Sequence, residues 1–250
     1  MSTNSSRPTK AERRDAARDK ARQMREEREA RQRRSRRLAV AGAVLGVLLV
    51  VVAVGAVVQA GRSQVSEDSA VPANVVDGGV VAGADRDAPQ VAVYLDYACP
   101  ACAQFEAQDG DWLLDKAEAG EISLVYKPIS ILDRYSTTEF STRAASAAGC
   151  VAETSPDAFP AFNAAMFANQ QAESGPGLSN EDIWAIAQDA GVGADAEQCI
   201  LDERYTGWAA ATTVASQQAG VQGTPTVVVE GEILRDRSRE AIEAAVEAAG

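Results

Sequence analysis

Two stretches of this 250-residue chain carry residue types at a spacing suited to chemistry. The first is Cys99-Pro100-Ala101-Cys102, which directly follows the apolar run 91–95. A cysteine at a helix start faces free backbone N–H groups and the positive end of the helix dipole, and both stabilise a thiolate. The thiolate is the species that attacks disulfides. Cys102, one helical turn on, is close enough to close a disulfide with Cys99 and to resolve a mixed disulfide. Pro100 presets φ at the first helical position and lacks an N–H that would go unused there. The second stretch is Gly223-Thr224-Pro225-Thr226, with a proline at the entry to the strong strand pattern 226–230, where a missing ladder N–H is tolerated.

Other chemistries are excluded or disfavoured by composition. The chain has no histidine, which removes Ser-His-Asp and Cys-His catalysis and His-ligated zinc. A four-thiolate zinc site would need Cys150 and Cys199, neither of which sits in a second C-x-x-C pair. No metal and no cofactor beyond the dithiol itself are expected. Asp96, three residues before Cys99, has two readings. It could exchange a proton during thiol chemistry, or it could cap the loop through backbone N–H groups.

The elements that must position these residues follow from periodicity. Strands are expected at Gly79–Ala82, 91–95, 122–126, 226–230 and 232–234. A helix is expected from 101 to 119. A helical block, about 137–219, divides into 137–153, 156–168, 180–190 and 196–219, with Ser179 and Asp182 forming a capping box. An amphipathic helix, 238–248, closes the chain. The order is β-β-α-β, then helices, then β-β-α. Without the helical block this is a thioredoxin pattern, so the fold class is α/β: a thioredoxin fold with an inserted helical subdomain. Phe159, Phe162, Met166 and Phe167 form an apolar helix face, and Trp112, Trp184 and Trp208 lie on helices. Core packing is the expectation for all of them, with part of the phenylalanine face a candidate surface for unfolded chains.

Charge divides the chain. Residues 1–37 hold 14 Lys/Arg against 6 Asp/Glu, whereas the whole chain has a net charge of −12. The acidic remainder would repel phosphate backbones, so no nucleic acid is expected as a partner. Between them, residues 38–58 are 21 consecutive Leu, Ala, Val or Gly. As a helix this run spans about 31 Å, matching a hydrocarbon core of about 30 Å. Arg33, Arg34, Arg36 and Arg37 flank it on one side and only Arg62 on the other. The expected organisation is a cytoplasmic basic tail (1–37), a transmembrane helix (38–60), a linker (61–74) and an extracytoplasmic domain (75–250). Cleavage after Ala60 is the alternative to an uncleaved anchor, but the apolar run is longer than a signal peptide requires. In an exported domain two buried free thiols are disfavoured. A Cys150–Cys199 bond would close a loop worth about 4 kcal/mol of chain entropy. A second redox pair or two free thiols are the other readings.

Taken together, Cys99-Pro100-Ala101-Cys102 after a strand, the helical insertion and Gly223-Thr224-Pro225 before a strand resemble the disulfide bond protein A (DsbA) family, in its membrane-anchored actinobacterial type. The local runs Asp96-Tyr97-Ala98-Cys99-Pro100, Phe167-Ala168-Asn169-Gln170 and Gly220-Val221-Gln222-Gly223-Thr224-Pro225-Thr226 are also similar to that family. The resemblance covers about 75–250. It implies a cis Thr224–Pro225 peptide against the cysteines, and a backbone at Thr224 that pairs with a substrate strand. It also implies recycling by a quinone-linked membrane oxidant of the vitamin K epoxide reductase-like type, and a two-disulfide pattern. The expected activity is a thiol–disulfide oxidoreductase, acting as a monomer, that introduces disulfides into reduced or unfolded exported proteins. Cys99 would be the nucleophile and Cys102 the resolving thiol. A reductase or isomerase of the same fold, and a non-redox binding module, are the alternatives. The family's best-known members carry histidine between the cysteines, whereas Pro100-Ala101 stands here, which implies a milder oxidant.

Overall fold

A computed structural model of the chain describes residues 70–83, 88–172 and 174–249. The expected membrane span and basic tail lie outside the described residues. Among the described residues no helix is long and apolar enough to cross a membrane.

The frame is a six-stranded sheet. Its strands are β1 (Val75–Val76), β2 (Gly79–Ala82), β3 (Gln90–Leu95), β4 (Ser123–Pro128), β5 (Thr226–Val229) and β6 (Glu232–Ile233), in the order β1-β2-β4-β3-β5-β6. β3 runs parallel to β4 and antiparallel to β5, so it is central and buried on both faces. That explains its unbroken apolar run, since a strand covered on both sides has no polar face to alternate with. Val91, Val93 and Leu95 point into the larger core, shared with the helices. Ala92 and Tyr94 point into a smaller one with Val125, Ile129, Val221 and Val228.

The helices are α1 (Pro100–Phe105), α2 (Asp111–Glu118), α3 (Phe140–Thr154), α4 (Phe159–Ala168), α5 (Asn180–Asp189), α6 (Glu197–Leu201), α7 (Thr206–Gln218) and α8 (Arg239–Ala249). α3 to α7 form the insertion between β4 and β5. This is a thioredoxin-like α/β fold with a helical insertion. The Ser179–Asp182 capping box forms at the start of α5 as the sequence predicts.

Three expectations need correction. The helix expected over 101–119 is interrupted by a π-helical turn, Glu106–Gly110. At Gly110 a Cβ would come within 2.8 Å of the Glu106 Cδ, so a larger residue would have to push that carboxyl aside. The helix expected over 196–219 is two helices, α6 and α7, separated by a turn in which Glu203 takes a left-handed φ of 53°. Both sides of that turn are pinned to α3. Cys199 is bonded to Cys150, and the Tyr205 N–H donates to the Ser146 hydroxyl at 2.9 Å. Helical continuity would break one of these ties. Finally, Phe159, Phe162, Met166 and Phe167 are all buried, so this face is core and offers no surface to unfolded chains. Trp184 and Trp208 are buried as well, and Trp112 packs partly buried against the same core.

Candidate active site

The sheet register brings the two sequence stretches together. Thr226 pairs with Tyr94 across the antiparallel β3–β5 ladder. Continuing that register places Pro225 beside Leu95 and Thr224 beside Asp96, at the foot of the loop that carries Cys99. The Thr224–Pro225 peptide is cis. Cys99 Sγ donates to the Thr224 carbonyl at 3.3 Å.

Cys99 is the N-cap of α1, in an extended conformation (φ −85°, ψ 115°), with Pro100 in the first turn. Its N–H donates to the Asp96 carbonyl at 2.9 Å, and its own carbonyl accepts from Cys102 N–H at 3.0 Å and Ala103 N–H at 3.2 Å. Both cysteines are free thiols. Cys99 retains 7% of its surface and Cys102 only 2%. Both pack into the larger core, and the Thr224 carbonyl lies against the Cys99 sulfur. Ala101 between them is exposed.

The two sulfurs differ sharply in acidity. Hydrogen bonding from the Cys102 thiol is the main influence lowering the Cys99 pKa, to about 6. Burial opposes it, while the Thr224 side chain and the Cys102 and Ala101 backbone N–H groups reinforce it. Cys102 moves the other way. Burial, and then its hydrogen bond and charge interaction with Cys99, hold it firmly as a thiol.

Asp96 is fully buried at the end of β3. Oδ1 accepts from Ala98 N–H at 2.9 Å and from the Ser141 hydroxyl at 2.6 Å, and Oδ2 accepts from Leu132 N–H at 3.0 Å. Burial raises its pKa to about 6 against the lowering effect of these bonds. These bonds join the active-site loop, the loop after β4 and the start of α3. No thiol is among the carboxylate's partners, so the geometry is that of a loop cap.

Glu106 escaped the sequence reading. Burial raises its carboxyl to about 7, with the Asn163 side chain acting in the opposite direction. Asn163 Nδ2 has no partner within hydrogen-bond distance, so Glu106 feels it as a nearby dipole. The signal was helical spacing: Glu106 lies four residues after Cys102, on the same face. Gln170 was also missed as a contact. Its Nε2 donates to the carbonyls of Tyr97 at 2.8 Å and Cys99 at 3.0 Å. Cys150 and Cys199, by contrast, lie in the insertion and are bonded to each other, with S–S 2.06 Å. Among the described residues no cluster of His, Cys, Asp or Glu is arranged to hold a metal ion.

A dithiol with one stabilised thiolate, at the start of a helix that follows a central strand and beside a cis-proline loop, defines a thioredoxin-like thiol–disulfide exchange site. The family model for thioredoxin matches residues 76–248. A comparison with curated proteins found no match. Among solved structures, oxidised DsbA from Mycobacterium tuberculosis is 30% identical, with a TM-score of 0.61, over 68% of this chain and 91% of that one. The reduced disulfide bond oxidoreductase DsbG from the same organism is also 30% identical, with a TM-score of 0.60, over 68% of this chain and 86% of that one. The thiol–disulfide oxidoreductase MdbA from Corynebacterium diphtheriae, at 23% identity and a TM-score of 0.60, covers 74% of this chain and 98% of its own, and shares the fold. The chain belongs to the thioredoxin family, among its DsbA-type thiol–disulfide oxidoreductases.

Proposed function

We propose that the protein works as an oxidase, introducing disulfides into reduced exported proteins from the extracytoplasmic face of the membrane. The observation that carries the direction is the unequal acidity of the two thiols. In the oxidised enzyme a client thiolate attacks Cys99 Sγ. The Cys99–Cys102 bond breaks and Cys102 leaves, taking up a proton. The client's second thiolate then attacks the client sulfur of the mixed disulfide and expels Cys99. Two electrons and two protons pass from client to enzyme, and the client gains one disulfide.

The second step is fast when the leaving thiol is acidic, as Cys99 is. A reductase needs the opposite resolution, with Cys102 attacking Cys99 as a thiolate, a step that the burial of Cys102 disfavours. Client residues beside the cysteine pair with the Thr224 backbone in strand fashion. A polar groove of about 320 Å³ beside exposed Ala101, lined by Gln104, Gln108 and Arg237 among others, gives the rest of the client a path.

The acidity also supports a direction for the potential. Thioredoxin, with a nucleophile pKa of about 7, sits near −270 mV, roughly, and a strongly oxidising relative with about 3.5 sits near −120 mV, roughly. A nucleophile at about 6 lies between the two, on the more oxidising side of thioredoxin. Structural disulfides of secreted proteins lie below about −300 mV, so the enzyme still oxidises such clients downhill. The absence of histidine between the cysteines fits this milder value. The uncharged run 38–58 with its arginine flank supports a cytoplasmic N-terminus and a membrane tether. A tethered oxidase is reoxidised economically by a membrane partner, for which a quinone-linked protein of the vitamin K epoxide reductase-like type has the right chemistry.

The test pairs refolding of reduced, unfolded ribonuclease with insulin reduction, alongside equilibration of Cys99–Cys102 against glutathione. The account predicts efficient ribonuclease oxidation, poor insulin reduction and an intermediate potential. Insulin reduction with a potential at or below that of thioredoxin would make the protein a reductase.

A further inference from the structure

We propose that Gln170 is a positioning residue for the dithiol: from the turn after α4, its side-chain amide spans the carbonyls of Tyr97 and Cys99 and holds the loop that presents the Cys99 sulfur. The proposal rests on Cys99 being the attacked and departing thiol.

The amide orientation is unambiguous, because two carbonyl acceptors require the NH₂ group to face them. The Tyr97 bond is 2.8 Å and the Cys99 bond 3.0 Å, across sequence separations of 73 and 71 residues. The Cys99 carbonyl is the one that closes the first turn of α1, where it already accepts from Cys102 and Ala103. A third donor from outside the helix fixes the plane of the Cys99–Pro100 peptide, and with it the ψ of Cys99. That angle aims the N–H groups of Ala101 and Cys102 at the sulfur.

Gln170 can act this way because α4 grips the same loop elsewhere. The Tyr97 ring packs on Phe167 at 5.1 Å and edge-on to Phe162 at 6.3 Å, and its hydroxyl donates to Asn163 Oδ1 at 3.0 Å. Tyr97 is thus held by ring, hydroxyl and carbonyl from one helix and the turn that follows it. Gln170 N–H donates to the Phe167 carbonyl at 3.2 Å, which ties the amide's own backbone to that helix end. A side chain anchored so locally loses little freedom in making its bonds. The insertion therefore does more than cover the sheet, since the chain just beyond α4 reaches the chemistry through one amide.

The experiment measures thiolate ultraviolet absorbance of the full chain against pH, for the parent, Gln170→Ala and Gln170→Glu. Ser179→Ala serves as a control for general destabilisation, because it removes the capping box of α5 and touches nothing in the loop. The parent midpoint is expected near 6. Gln170→Ala should move it up by about half to one pH unit, the worth of one ordered hydrogen bond. Gln170→Glu, the same size but with a carboxylate facing two carbonyls, should move it further. Ser179→Ala should lower the melting temperature and leave the midpoint in place. A parent midpoint near 6 with no shift in Gln170→Ala would overturn the proposal. So would Gln170→Glu lying closer to the parent than Gln170→Ala, which is the order a space-filling role produces. A parent midpoint near 9 would instead remove the functional reading on which the proposal rests.

Discussion

The four cysteines form two pairs with opposite surroundings. Cys99 and Cys102 are three residues apart at a helix start, free, and set against hydrogen-bond donors that favour one thiolate. Cys150 and Cys199 are separated by 49 residues, sit on two packed helices of the insertion and are bonded. The first pair closes a tiny loop, so its bond adds little chain-entropy stability and is easily made and broken. The second closes a long loop and constrains the unfolded chain strongly. Sequence separation and backbone environment, rather than the sulfur itself, divide redox chemistry from structural support.

The largest effect expected from breaking this contrast is on activity. Cys99→Ser should reduce dithiol oxidation to background in a ribonuclease refolding assay while changing the melting temperature little. The Cys150→Ser, Cys199→Ser double variant should do the reverse. Loss of about 4 kcal/mol of loop entropy corresponds to roughly 8–16 °C in melting temperature for a domain of this size. Its oxidation rate, measured well below the new midpoint, should stay within about twofold of the parent. A fall in rate at unchanged stability would make the second pair an electron relay.

Asp96 sharpens the contrast by separating loop support from thiol chemistry. Asp96→Asn replaces one acceptor oxygen by an NH₂ group that faces a backbone N–H and cannot accept from it, at a cost of about 1–3 kcal/mol. Thermal denaturation should show that loss, and the oxidation rate at neutral pH should fall no more than stability explains. A rate loss in fully folded protein would restore the proton-transfer reading.

The remaining effect is in pH dependence. The Cys99 thiolate exists only in the reduced enzyme, with its pKa depressed in the folded state. Its contribution is therefore fully present above the unfolded thiol pKa of about 9 and is lost as pH falls through about 6. The reduced form should gain stability relative to the oxidised form between those limits. Cys99→Ser should flatten the trend in paired melting curves. A trend of opposite sign would contradict a stabilised thiolate.

Much of this was legible in sequence because each signal had a local cause. The apolar run of β3, the valines of β5, the Ser179 cap and the C-x-x-C at a strand–helix junction each state their own structure. The correct placement of Thr224–Pro225 against Cys99 came from the resemblance, since strand pairing between residues 94 and 226 leaves no mark within either segment. What escaped was set by tertiary contacts. The α6–α7 break follows from Tyr205 bonding to Ser146, and the π-helical turn from Glu106 folding over Gly110. Gln170 stood within a family-like run, but its hydrogen bonds cross more than 70 residues, and no periodicity encodes them.

The central claim is that Cys99 is the sulfur exchanged with clients and that Cys102 is the partner that closes on it. The most direct test incubates Cys102→Ser and Cys99→Ser separately with a disulfide-containing client, followed by non-reducing electrophoresis and mass mapping of the adducts. Stable mixed disulfides through Cys99 in the Cys102→Ser protein, with none in Cys99→Ser, are the predicted result. Adducts through Cys102 in Cys99→Ser, with none in Cys102→Ser, would contradict it.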